Sequence, residues 1–370
     1  MQALILAGGE GTRLRPLTSS IPKPVVPLAG RPFISYMIDW LHRHGVDDVI
    51  LSCGFMADGV RAVLGDGDGL GVRLRYVEER EPLGTGGALK LAEDLLQDRF
   101  LMLNGDQLTD LDLTAQLRQH ERTGARATLA LIAVEDPSAY GLVRLRDDLS
   151  VSGFLEKPNA DEIDTNLVNG GAYVLDRSVV SEMPAAGTRI SIERDVFPRL
   201  VDRGLFGYEE SGYWMDIGTP RRYLQATYDI LDGEIMTELG RALAASGGVL
   251  RDAAGAVGVG GSVHAPAVIG PGCTIAAGAT VAGRTVLGAN VTLGPGAHVD
   301  SSVLLDGVRI GAHSRISRSI LGPGAQVGDH CRIDAETVLG ARVKIGSDNA
   351  LTAGIRIFPG VELPDAAVAF

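Results

Sequence analysis

The sequence predicts an α/β domain on a mostly parallel, Rossmann-like sheet, followed by a parallel solenoid. Three observations carry this. Strand-like and helix-like segments alternate over residues 1–232, a glycine-rich turn follows the first strand, and apolar residues recur every six positions from Val263. Alternation implies crossover connections and a sheet covered on both faces.

In chain order, Ala3–Ala7 reads as a buried strand. From Pro32 to His44, Phe33, Tyr36, Met37, Trp40 and Leu41 fall at helical spacing. Strands are expected at 48–53, 73–77 and 100–103, with a helix at 86–96. Later strands are expected at 127–134, 142–145, 151–156 and 171–175. In such sheets ligands bind beyond the carboxyl ends of the strands. Residues 233–256 scatter Gly240, Gly247, Gly248 and Gly255 among alanines and are expected to be a linker.

Residues 257–370 carry the six-residue repeat. It runs from Val263 through Ile269, Ile275, Val281, Leu287 and Leu293 to Val299, steps five to Leu304, and steps five again from Ile316 to Leu321. Glycine often follows the apolar residue, as in Ile269-Gly270 and Leu321-Gly322. Each hexapeptide makes one face, its apolar residue points inward, and stacked coils bury one continuous core. The two shortened steps lie in similar strings, Val299–Leu304 and Ile316–Leu321, and read as a tightened corner built into the coil. The repeat resembles the left-handed parallel β-helix family, and that resemblance supplies the handedness.

The bulk numbers restrict function. The chain has 370 residues, which suits two domains. Its net charge of −12 argues against a broad nucleic-acid surface. Cys53, Cys273 and Cys331 lie far apart with no CxxC spacing, so neither a disulfide framework nor a zinc site is expected. No basic segment or long apolar run opens the chain, and a cytoplasmic enzyme without a membrane partner is the expectation.

The chemistry concentrates in three strings. The turn Gly8-Gly9-Glu10-Gly11-Thr12-Arg13 follows the first strand, and glycines there let backbone N–H groups approach a phosphate. It is neither a Walker loop nor a complete dinucleotide fingerprint. It continues as Leu14-Arg15-Pro16-Leu17-Thr18 and then Pro22-Lys23-Pro24. Asp106 closes Leu101-Met102-Leu103-Asn104-Gly105, where a buried strand would deliver a carboxylate. The third string is Tyr213-Trp214-Met215-Asp216-Ile217-Gly218. Spacing does not pair the two aspartates.

Together these strings resemble the sugar-1-phosphate nucleotidyltransferases, whose pattern begins GGxGTRLxPLT and continues to PKP. The resemblance implies transfer of a nucleoside monophosphate to a sugar 1-phosphate with release of pyrophosphate. It implies a nucleotide site at Leu6, Ala7, Gly8, Gly9, Gly11, Thr12, Arg13, Lys23 and Asp106, with Glu79, Gly84 and Thr85 on the base side. Arg13, Lys23 and Lys157 are the catalytic cations, and Asp106 with Asp216 would hold Mg²⁺. Gly141, Glu156, Lys157, Asn169 and Gly171 match the sugar-side segments.

The string Ser191–Pro198, with Tyr213–Gly218 and the repeat, is nearest to the mannose-1-phosphate guanylyltransferases, which implies GTP and mannose 1-phosphate. Thymidylyl- and uridylyltransferases acting on glucose 1-phosphate share the core strings. A silent regulatory subunit is disfavoured by the intact Arg13, Lys23, Asp106, Lys157 and Asp216. An acyltransferase would need a base such as His264, His298, His313 or His330, which read as solvated coil residues. The solenoid is expected to serve structure and assembly, with a homo-oligomer the natural outcome.

Overall fold

The structure, a computed structural model, describes residues 1–138, 140–156, 159, 163–251, 256–257 and 260–369, with backbone alone at 156, 256 and 257. The chain divides into two compact units: Met1–Glu10 with Ile34–Trp214, and Gly11–Phe33 with Met215–Phe370.

The first unit begins with β1 (Gln2–Leu6); β2 (Pro27–Leu28) and β3 (Arg31–Pro32) form a short hairpin in the second unit. Then come α1 (Phe33–Arg43), β4 (Asp48–Cys53), α2 (Ala57–Leu64), β5 (Arg73–Glu78), α3 (Gly84–Leu91) and β6 (Arg99–Asn104). They are followed by β7 (Gln107–Thr109), α4 (Leu113–Thr123), β8 (Ala127–Ala133), β9 (Gly141–Leu145), β10 (Val151–Glu156), β11 (Leu167–Asp176) and β12 (Leu205–Glu210). The five apolar residues of α1 noted above are all buried, as a 3.6-residue period requires of a core-facing stripe. β4 is buried at all six positions, the mark of a strand covered on both faces.

The α/β class holds, but the sheet is mixed rather than mostly parallel. β6, β1, β4 and β5 run parallel. β11 runs antiparallel to β6, β8 and β9, and β10 antiparallel to β9. A buried strand reads as an apolar run in either orientation, so the pattern could not report direction. The expected helix at 86–96 is shorter: α3 ends at Leu91 and a separate turn covers Glu93–Leu95.

Helices α5 (Arg177–Ser181) and α6 (Phe197–Leu200) belong to the first unit, and α7 (Pro220–Asp232) and α8 (Glu238–Ala245) to the second. Thr219 caps α7 through its side chain and Gly233 ends it in the left-handed region, a start and stop that sequence chemistry favours. The stretch 233–256 carries α8 and a strand, Val249–Arg251.

The solenoid is a left-handed parallel β-helix with three faces. Ile269 pairs with Leu287, eighteen residues on. Leu287 pairs with Leu304, and Leu304 with Leu321, each seventeen on. The shortened steps are therefore one recurring corner. Ser301 and Arg318 turn it at φ 44° and 43°. Below them, buried Ser302 donates to the Asp300 carbonyl (2.6 Å) and accepts from the Ser319 amide (3.1 Å). Ser319 donates to the Ser317 carbonyl (2.7 Å). The serines satisfy backbone groups that a shorter corner leaves without strand partners. Inward residues stack into one core that takes in Cys273 and Cys331. All three cysteines are free and buried, and burial pushes the Cys53 thiol up to about 12. This is the inert state expected of them.

Candidate active site

The carboxyl edge of the parallel strands positions the first group of residues. Leu6 is in register with Ser52 of β4 and Asn104 of β6, so Leu6–Gly8, Ser52–Gly54 and Asn104–Asp106 leave the sheet side by side. The Gly105 amide donates to the Leu6 carbonyl (2.9 Å), and the Ala7 amide to the Ser52 carbonyl (2.7 Å). Gly105 must be glycine: a Cβ there would lie 2.4 Å from the Leu6 oxygen. Gly105→Ala is expected to cost about 2 kcal/mol of stability, read as a lower denaturant midpoint at unchanged m-value. An unchanged midpoint would refute the close approach. Asp106 follows directly and is half-buried.

Glu79 ties the loops of this edge together. Its carboxylate accepts from the Ser52 hydroxyl (3.1 Å) and the Leu83 amide (3.3 Å). A Cβ on Gly8 would lie 2.8 Å from Glu79 Oε1, so the glycine turn runs against this carboxylate. Gly84 turns at φ +74°, and a Cβ there would lie 2.6 Å from the Ile190 carbonyl oxygen. Thr85 donates to Glu193 (2.7 Å) and accepts from the Ile192 amide (2.9 Å). Ser191 also donates to Glu193 (2.8 Å). The string that distinguished the subfamily is thus the brace of the loop carrying Gly84 and Thr85.

The sugar-side residues cluster on β9 and β11. β11 advances from Asn169 to Tyr173 while its neighbour β8 moves only from Leu131 to Leu129, a bulge that re-aims the strand. Gly170 and Gly171 fill the bulge. Gly171 has φ +69°, and its Cα faces the Gln107 amide so closely that no Cβ fits. The Asn169 side chain donates to the Tyr173 hydroxyl (2.8 Å) and accepts from the Gly171 amide (2.9 Å). Trp214 Nε1 donates to the Gly170 carbonyl (2.9 Å), and Tyr140 packs edge-on against the Trp214 ring at 5.7 Å. Gly141 opens β9, and Glu156 ends β10, its neighbour. Lys157 lies outside the described residues.

Tyr173 joins these groups from beneath. Burial pushes its hydroxyl well above the usual tyrosine range, and the Glu193 and Asp106 charges add to the rise against hydrogen bonds from Asn169 and Asn104. Asn104 Oδ1 is buried and meets no hydrogen-bond partner among the described residues. Sequence reasoning named neither Tyr173 nor Gln107 nor Glu193 as part of a site. Tyr173 reads there as one more strand residue, and only the bulge reveals its partners.

The second unit holds the cationic group. Gly11 turns at φ +61°, and a Cβ there would lie 3.0 Å from Thr18 and 3.1 Å from Lys23. Thr12–Leu14 is a single 3₁₀ turn. Thr18 donates to the Gly11 carbonyl (2.8 Å), and Lys23 is buried. Asp216 receives two guanidinium groups: Arg222 donates at 3.0 Å and Arg13 stands at 3.7 Å. A Cβ on Gly218 would lie 2.7 Å from the Arg13 side chain, so this glycine makes room for it. Arg222 went unnoticed in the sequence, where it opens a helix beside Arg221 and resembles any surface cation.

Comparison with known proteins identifies the family. The nucleotidyl transferase family model matches residues 2–233, and the GMPPB C-terminal domain model matches residues 263–367. A Mycobacterium tuberculosis protein named mannose-1-phosphate guanylyltransferase is 37% identical over 100% of this chain and 98% of its own. A rice protein, probable mannose-1-phosphate guanylyltransferase 3, is 37% identical over 98% of this chain and 97% of its own. The solved structure of HddC from Yersinia pseudotuberculosis complexed with GMP-PN is 30% identical, with a TM-score of 0.53 over 61% of this chain and 97% of that one. Matched along its catalytic region by the family model and along its whole length by relatives, the chain belongs to the nucleotidyltransferase family.

Proposed function

We propose that the protein joins GTP to mannose 1-phosphate, forming GDP-mannose and pyrophosphate. The carrying observation is that relatives named mannose-1-phosphate guanylyltransferase match catalytic region and solenoid together, over 98–100% of the chain. A phosphate oxygen of the sugar 1-phosphate attacks the α-phosphorus of the triphosphate. The bond from that phosphorus to the bridging oxygen breaks, and pyrophosphate leaves with the electron pair. No protein nucleophile is required, so catalysis is positioning and charge neutralisation.

In this reading Gly8, Gly9 and Gly11 bring backbone to the phosphates, with Leu6, Ala7 and Thr12 beside the nucleoside. Arg13 and Lys23 neutralise the departing β- and γ-phosphates. Glu79, Gly84 and Thr85 shape the base side, where Glu79 and Thr85 act first by holding loops. Gly141, Glu156, Asn169 and Gly171 line the sugar side, and Lys157 holds the attacking phosphate. Asp106 and Asp216 suit a hard divalent cation, expected to be Mg²⁺. Among the described residues no cluster of three or more His, Cys, Asp and Glu side chains could hold a metal, so phosphate oxygens and water would complete its ligands. When bound, the cation supplies charge stabilisation on the phosphates.

We also propose the domain division 1–232, 233–256 and 257–370, a cytoplasmic location and a homo-oligomer. No described helix is long and apolar enough to cross a membrane. The test of substrate is a matrix of nucleoside triphosphates against sugar 1-phosphates with Mg²⁺, read as pyrophosphate release. GTP with mannose 1-phosphate should give the highest kcat/KM. Preference for dTTP or UTP with glucose 1-phosphate would move the substrate assignment and keep the reaction. No release with any pair would overturn both.

A further inference from the structure

One face of the solenoid carries an outward row that changes character at its last coil. In register, Val286 pairs with Val303, Val303 with Ile320, Ile320 with Val338 and Val338 with Arg356. The four apolar members are buried to 1% exposure or less, whereas Arg356 is exposed. The planar guanidinium can offer several donors at once to neighbouring carbonyls. Arg356 Nη1 donates to the carbonyl oxygens of Arg13 (3.1 Å) and Arg15 (3.4 Å).

Those carbonyls belong to the turn that aims Arg13. The 3₁₀ turn Thr12–Leu14 uses the Gly11 and Thr12 carbonyls, which accept from the Leu14 and Arg15 amides at 2.9 and 3.2 Å. The next carbonyls along this segment point to Arg356, a charge-assisted pair stronger than a neutral hydrogen bond. The segment meets the same solenoid face a second time, because a Cβ on Gly30 would lie 3.7 Å from Val268. Helix α7 braces the adjoining corners: Asp232 pairs with Arg284 at 2.8 Å, and the Tyr228 hydroxyl donates to the Ser301 carbonyl.

We propose that Arg356 is a positioning residue for the reaction. By fixing the turn at Arg13 and Arg15 it holds the Arg13 guanidinium toward the triphosphate, which makes the last coil of the solenoid part of nucleotide binding. The proposal rests on the reading that Arg13 grips the triphosphate. It also adds to the structural and assembly role expected of the solenoid.

The experiment compares Arg356→Ala, Arg356→Lys and Arg13→Ala in the full chain, with KM and kcat for each substrate and the melting temperature. Arg356→Ala should raise KM for the triphosphate roughly tenfold, the worth of one hydrogen bond to a charged group. KM for the sugar phosphate should stay within about twofold and the melting temperature unchanged, as for a surface substitution. Arg356→Lys, which keeps one donor and the charge, should recover most of the loss. If Arg13→Ala loses activity while Arg356→Ala keeps wild-type kinetics, or raises both KM values alike, the positioning role is overturned. If Arg13→Ala itself keeps wild-type kinetics, the reading of Arg13 is overturned and the role of Arg356 with it.

Discussion

Asp106→Asn is expected to lower kcat by about 10³-fold, the scale of removing a charge that acts directly on the reacting phosphates. The replacement keeps size and polarity and removes one negative charge. Asp106 is half-buried and follows Gly105, whose amide is held by Leu6, so the backbone has little freedom to reorganise around the new side chain. The variant should therefore fold and melt like the parent. Pyrophosphate release at saturating Mg²⁺ and both substrates is the measurement. Turnover near the parent value would remove Asp106 from the metal site. A loss fully restored by raising Mg²⁺ would assign it to metal affinity rather than to the chemical step.

The second large effect lies in the solenoid. Ile316→Asp places a carboxylate where exposure is 0%, between the stacked inward residues Val299 and Ile333. A buried charge without a partner is among the few single changes that cost about 4 kcal/mol or more. Each coil touches only its neighbours, so a break in the middle separates the coils on either side. The expected result is loss of the solenoid's cooperative melting, followed by far-ultraviolet circular dichroism. Melting within a few degrees of the parent would show that Ile316 does not face the core. Activity should fall as well, because the coil carrying Arg356 depends on those beneath it.

The sequence is legible where the physics is local or strictly periodic. Six-residue spacing identifies an inward row without any knowledge of neighbours. Even the shortened steps were legible, since the inward row must jump by one residue wherever a corner tightens. The glycine-rich turn was legible in part: Gly11 answers a local backbone demand at φ +61°, whereas Gly8 answers the tertiary approach of Glu79 and Gly54. Strand direction was not legible. Burial on both faces produces the same apolar run in β6 and β11, although one runs against the other. The bulge at Gly170–Gly171 was hidden because it is defined by the register against β8.

The amino-acid sequence by itself determined a glycine-rich turn after the first strand and a repeating solenoid behind an α/β domain. Each is encoded in short spacing that any fold containing it must respect. Only the tertiary structure decided which groups hold the candidate site residues in place. Glu193 bracing Thr85, Arg222 beside Asp216, and Arg356 on the Arg13 turn join residues from 6 to 343 positions apart. Such pairings depend on how the chain returns on itself, and no local spacing records that.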